Sequence, residues 1–289
     1  MERDFRIPRL PALCAMLLFF CEMVHAQKIM LRPARHASDD LEVTGLSPSP
    51  GYLSRAALLK LPQVPAVIEN DPDFAGLKLH VTGVPLEVLE TALRIPESDD
   101  LIDMLCTDKY RSHYPAEYVR QHHPILVLHV EGKAPAAWAA ATKNEDPGPY
   151  FVAHANYVPA FKVLTHKDQR QVPTNVFHMN VTTVEATYGP ISPPGPATRE
   201  VDAGFTIAKQ NCLRCHAEGG VGGTKSNFTW QMLAAIATHN PRDFQRYMRN
   251  PVEINPHAAM PPNATYDDAT LAALTAYFQA VAVPESSKR

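Results

Sequence analysis

The chain has 289 residues, 45% of them apolar and 20% charged, with a formal net charge of −3. That balance is ordinary for a globular protein and argues against a nucleic-acid binder or a membrane-surface protein. The length suggests two domains, and 27 prolines against 13 glycines predict many loops and extended segments.

Residues 1–26 read as an export signal. Arg3, Arg6 and Arg9 give a positive start, Leu10 to Phe20 an apolar run, and Val24-His25-Ala26 a small-residue end before Gln27. An uncleaved anchor is the alternative, but a spanning helix needs about 20 apolar residues, and Glu22 interrupts this run too early. Phe19-Phe20 before Cys21 is unlike a lipid-anchor site, and no other apolar run is long enough to cross a bilayer. The expected location is the periplasm. Cleavage removes Cys14 and Cys21 and leaves Cys106, Cys212 and Cys215.

Residues 27–188 predict a β-rich α+β domain. Leu77 to Val81 alternates apolar and polar, Ile125 to Val130 does so in part, and Val176 to Val184 is rich in β-branched residues. Between them Pro85 to Leu93 reads as a short helix, with Leu86, Val88, Leu89 and Leu93 broadly on one face. Residues 189–199 then form a Pro-rich linker, Gly189-Pro190-Ile191-Ser192-Pro193-Pro194-Gly195-Pro196 at its centre, expected to act as an extended, semi-rigid spacer. Residues 200–289 change to helical period and predict a small all-α domain. Its helices are Arg199 to Asn211, Thr229 to Thr238, Pro241 to Arg249 behind an Asn240 cap, and a last one opened by Asp267-Asp268 and carrying Leu271, Leu274, Tyr277 and Phe278.

Cys212-Leu213-Arg214-Cys215-His216 is a C-x-x-C-H pentapeptide, the attachment signature of covalent c-type haem. Each thiol can add across one haem vinyl group, and the next residue supplies the proximal imidazole. Met260, in Pro256-His257-Ala258-Ala259-Met260-Pro261-Pro262, offers a thioether for the opposite axial position. Its proline frame stiffens a weak ligand, whereas Met232 and Met248 fall in helical stretches where methionine packs cores. His239 and His257 are the rival ligands. A zinc site lacks further thiols beyond Cys106, and a thioredoxin-like site lacks its βαβ context. Gly219 to Gly223 has no Gly-Lys-Ser/Thr for a phosphate loop and is expected to be a flexible loop folding over the haem edge. Arg242, Arg246 and Arg249 form one helix stripe, a solvated face or a docking patch for an acidic redox partner.

With these motifs, residues 200–282 resemble class I cytochrome c domains. The resemblance implies a close crossing of the first and last helices, with Gly204 against an aromatic such as Tyr277. Tyr247, Asn250-Pro251 and Met260-Pro261-Pro262 match the family's distal stretch, while Ala208 stands where an aromatic is more common.

Upstream, Leu101 to Arg111, with Val43-Thr44-Gly45, Val81 to Leu86 and Gly148-Pro149-Tyr150, resembles the molybdopterin-binding domain of sulfite oxidase-type enzymes. That likeness implies a molybdenum ligand at Cys106 and an oxyanion-binding role for Arg111. The domain is short for such an enzyme, and the leader has no twin-arginine pair, so molybdopterin is not expected and Cys106 reads as a buried apolar thiol. The expectation is thus an exported monohaem cytochrome, not an enzyme, carrying single electrons to or from a periplasmic redox partner. The alternatives are a molybdenum-dependent oxidoreductase feeding its own haem domain through Cys106 and Arg111, and an upstream module that docks the cytochrome on a partner.

Overall fold

The computed structural model describes residues 29–282 apart from Asn70; the expected export signal lies outside the described residues. The first part of the chain runs β1 (Leu41–Thr44), β2 (Gly51–Leu53), α1 (Arg55–Leu58), β3 (Val64–Glu69), β4 (Lys78–Pro85), α2 (Leu86–Leu93), β5 (Leu101–Cys106) and β6 (Arg111–Pro115). It continues through α3 (Ala116–His122), β7 (Ile125–Val130), α4 (Pro135–Thr142), β8 (Phe151–Ala153), β9 (Lys162–Val163), β10 (His166–Lys167), β11 (Val176–Thr182) and α5 (Val184–Tyr188). Two sheets carry it, ordered β2-β1-β11-β5-β6 and β3-β4-β7-β8, beside a small β9–β10 hairpin. All pairings are antiparallel except β1 with β11.

The strands form where the side-chain alternation needs two environments. In β4, Leu79 and Val81 are buried while Lys78 and His80 face water. Pro85 leads into α2, which ends at Arg94 in the left-handed conformation. Leu86, Leu89, Val119 and Tyr118 of α2 and α3 fill one core with Leu41, Val43, Ile102 and Met104 of the first sheet and Leu126 and Leu128 of the second. Phe74 and Trp138 cover the second sheet's other face, with Val81, Val127 and Phe151.

The second part is helical: α6 (Arg199–Asn211), α7 (Trp230–His239), α8 (Pro241–Arg249), α9 (Pro251–Ile254) and α10 (Asp268–Ala280). The Thr198, Thr229 and Asp267 side chains accept the backbone N–H of Val201, Met232 and Thr270, closing the first turns of α6, α7 and α10. Asn240 makes no such side-chain cap; its amide donates to Asp243 instead. α6 crosses α10 so closely that a Cβ on Gly204 would overlap the Ala273 carbonyl and lie 2.7 Å from Tyr277 Cβ. Phe205 places its ring 5.6 Å from that of Tyr277, so the aromatic contact comes from position 205 where Ala208 cannot supply it.

The two parts share an extensive contact, and the Pro-rich segment is not a free spacer. Gly189–Ile191 forms a 3-10 turn, Ile191 is buried in the helical core, and the Tyr277 hydroxyl donates to its carbonyl at 2.5 Å. On the β9–β10 hairpin, Thr165 bonds Thr270 hydroxyl to hydroxyl at 2.6 Å. Buried His166 donates from Nε2 to Gln210 Oε1 and accepts at Nδ1 from Tyr266, both at 2.7 Å. Gln210 in turn donates to Asp168, and Tyr188 at the end of α5 packs against the helical core. No helix among the described residues is long and apolar enough to cross a membrane.

Two outcomes follow from this packing. Helix propensity alone favours Gly204→Ala by ~1 kcal/mol, but the overlap with Ala273 should reverse the sign, to a loss of roughly 1–3 kcal/mol in denaturant melts. Burial pushes His113 down to about 3, with Arg111 and Arg214 adding to it, and burial also lowers His166. Both imidazoles are therefore neutral when folded and bind protons on unfolding. Their stabilising share is complete above the free imidazole value near ~6.5 and falls as pH drops from there toward 3. Melting temperature should accordingly decline from pH 7 to 4, less steeply in His113→Phe.

Candidate functional site

α6 runs directly into the C-x-x-C-H motif. Cys212 caps the helix, its N–H donating to the Ala208 carbonyl at 2.8 Å. The N–H groups of Cys215 and His216 then both donate to the Cys212 carbonyl, at 3.1 and 3.0 Å, winding the motif into one compact turn. Cys212 and Cys215 are both free thiols. Burial and the neighbouring Cys215 push Cys212 up to about 12. Burial also raises Cys215, against the pull of Lys225 and Arg214. Neither is the low-pKa thiolate of a redox disulfide motif.

His216 holds its Nδ1 2.7 Å from the Phe228 carbonyl. Nδ1–H donates there, which leaves the Nε2 lone pair for a metal. Burial lowers its pKa while the carbonyl opposes the shift, so the imidazole is neutral, the ligating form. Met260 is half-buried against the same apolar cluster as Cys212, with Ile207, Leu213 and Trp230 at its centre. His239 and His257 are exposed, and Met248 is buried in the core. This donor set fits a haem: two free thiols, a neutral imidazole of fixed tautomer and a thioether on an apolar wall. Phe228, Met232, Val252 and Ile254 add large exposed apolar side chains to the same domain, surface that suits a porphyrin. Among the described residues no group of three or more His, Cys, Asp or Glu is placed to hold a metal ion.

The glycine segment after the motif is not the loose loop expected from its composition. It is clamped between the motif and the β5–β6 turn. Arg111 N–H donates to the Arg214 carbonyl and Thr224 N–H to the Lys109 carbonyl, each at 3.0 Å. Lys225 pairs with Asp108 at 2.5 Å. A Cβ on Gly223 would overlap the Arg214 carbonyl and crowd that of Lys109 at 2.9 Å; only glycine fits. The arginine stripe on α8 is likewise engaged locally. Arg246 bridges Asp243 and Glu253, at 3.2 and 3.3 Å, and Arg249 reaches Asp268 at 2.5 Å, which suits a solvated face better than a docking patch.

Cys106 ends β5, 2% exposed. Burial first, then the charge of Asp108, hold its thiol well above the usual range. The cavity beside it, lined by Cys106, Arg111, Phe177, Gly220 and Gly222, measures about 220 Å³, below the ~300–1,000 Å³ of ordinary small-molecule sites. Arg111 turns to Asp103, 3.1 Å away, whose carboxyl burial raises to about 6 against the pull of Arg111. A buried neutral thiol, a small cavity and an engaged arginine do not fit molybdopterin at this position. A larger cleft of about 980 Å³ lies between the two parts, lined by His113, Tyr118 and Gln171 on one side and Lys209 and Gln210 on the other, without Cys106. Tyr110, His166, Gln210 and Tyr266, which tie the motif to the β-rich part, carry no motif that sequence reasoning could have used.

The comparisons with known proteins follow the same division. The family model for cytochrome c oxidase, cbb3-type, subunit III matches residues 199–278. No curated protein matches the chain. Among solved structures, the chain is similar to the sulfane dehydrogenase SoxCD from Paracoccus pantotrophus, at 18% identity and a TM-score of 0.36, covering 54% of this chain and 42% of that one. The chain thus spans less than half the length of that structure, and so faint a likeness assigns no substrate or cofactor. That neighbour is nevertheless a dehydrogenase, and the expectation that this chain is not an enzyme is withdrawn. What the matched segment does show is the nature of the helical part: residues 199–278 are a c-type cytochrome domain, which implies haem c and a redox partner.

Proposed function

We propose that the protein transfers single electrons through one haem c, attached by thioether bonds to Cys212 and Cys215, with His216 as proximal and Met260 as distal ligand. The observation that carries this reading is the motif's geometry: two free thiols on one helical turn and an imidazole whose Nδ1–H is committed to the Phe228 carbonyl. The bound haem supplies the Fe(III)/Fe(II) couple. The chain's part is to fix the imidazole's tautomer and rotation, present the Met260 sulfur from a proline-stiffened loop, and keep water from the thioether side by docking the β5–β6 turn on the motif.

The domain division proposed is an export signal over 1–26, a β-rich part to 188, a connecting segment over 189–199 and the cytochrome domain from 200. The positive start, short apolar run and Val24-His25-Ala26 end of the leader support export to the periplasm, where a soluble redox protein would give or take the electron.

Redox titration with optical spectroscopy tests the ligation. Met260→His should keep a six-coordinate haem at a lower potential, because imidazole stabilises Fe(III) more than a thioether does. An unchanged potential and unchanged near-red sulfur-to-iron absorption would give the distal place to another residue. His216→Ala should lose most assembled protein, and Cys215→Ala should retain one thioether at most.

A further inference from the structure

Arg214, the second residue between the two cysteines, is held in an unusual setting. Its Nε donates to the Gln210 carbonyl at 2.6 Å. Its Nη2 is shielded from solvent without a hydrogen-bond partner. The groups acting on the guanidinium are Tyr110, by a hydrogen bond, and then Tyr118 and Cys215, rather than a carboxylate. The hairpin that brings Tyr110 is the one whose Arg111 N–H donates to the Arg214 carbonyl. A partly buried cation, with one guanidinium nitrogen shielded and no counter-ion among the described residues, is therefore held in the contact between the β-rich part and the haem motif.

Burying an unpaired charge is expensive, and a fold that retains one beside a redox centre has a direct electrostatic use for it. Ferric haem carries one more positive charge than ferrous haem. A fixed cation in a poorly screened contact raises the energy of the ferric state more, since the Coulomb term grows as the local dielectric falls. Arg214 stands between the two attachment cysteines in the chain, and its carbonyl is the acceptor that joins the motif to the hairpin.

We propose that Arg214, enclosed by the β5–β6 hairpin, is a positioning charge that raises the reduction potential of the haem. Docking of the β-rich part on the motif thereby sets the energy at which the protein accepts an electron. The inference rests on haem attachment at Cys212 and Cys215 as proposed above.

The test is redox titration of the full-length, haem-loaded protein, with covalent haem first confirmed on the denatured chain. Arg214→Gln should shift the midpoint potential down, and Arg214→Lys, which keeps the charge, should stay near the parent. Arg242→Gln removes the same charge from an exposed position on α8 and should leave the potential unmoved. Gly223→Ala keeps the question open to measurement should Arg214→Gln fail to mature: its Cβ levers the hairpin off the motif, admits water around the guanidinium and should also lower the potential. Arg214→Gln or Gly223→Ala at the parent potential, or Arg214→Lys falling as far as Arg214→Gln, would overturn the inference while leaving haem attachment intact. A parent protein without covalent haem would overturn the attachment itself and this inference with it.

Discussion

The rest of the structure depends on the exchange of backbone hydrogen bonds between the β5–β6 turn and the motif of residues 212–224. Arg111 donates to Arg214, and Thr224 to Lys109. Backbone bonds of this kind fix position without asking anything of the side chains, but they require close approach. That requirement accounts for Gly223, whose Cβ would collide with the carbonyls being joined. It also accounts for the shielding of the Arg214 Nη2 from water. The β-rich part therefore forms a wall of the cytochrome domain rather than a separate module on a tether.

A second line of contact is polar and buried. Asp168, Gln210, His166, Tyr266 and Asn211 are joined by successive hydrogen bonds running from the β-rich part into the helical core. Such a chain adds little net stability per bond, roughly 0.5–1.5 kcal/mol, yet a break leaves a buried group unsatisfied at a larger cost. It specifies one orientation of the two parts. His166 must stay neutral to accept from Tyr266 at Nδ1 while donating at Nε2, and its lowered pKa keeps it so.

Much of the helical part was legible because its signals are local. Thr229 and Asp267 stand where their helices open and the apolar positions mark α7 and α10, whereas the crossing of Gly204 with Tyr277 was implied by the family resemblance. The haem motif is local too, five residues in a row. In the β-rich part, β4, β7 and β11 showed themselves by alternation or by β-branched runs. β6 did not. Arg111-Ser112-His113-Tyr114-Pro115 reads as a polar loop, yet Ser112, His113 and Tyr114 are buried, because sheet and helical domain cover it from both sides. The clamp was invisible for the same reason, since its partners lie roughly a hundred residues apart and none is a typical binding residue. Proline content suggested a spacer after Gly189, but Ile191 within it carries the apolar side chain that the helical core takes in.

The central claim is that this fold holds one haem by covalent bonds at Cys212 and Cys215. Intact-mass spectrometry of the acid-unfolded protein, purified from a host that matures c-type cytochromes, tests it most directly. The account predicts a single species at the mass of the polypeptide plus one haem, reduced to the bare polypeptide when both cysteines are replaced by alanine. A bare polypeptide mass for the parent protein, with haem recovered free in solution, would contradict it.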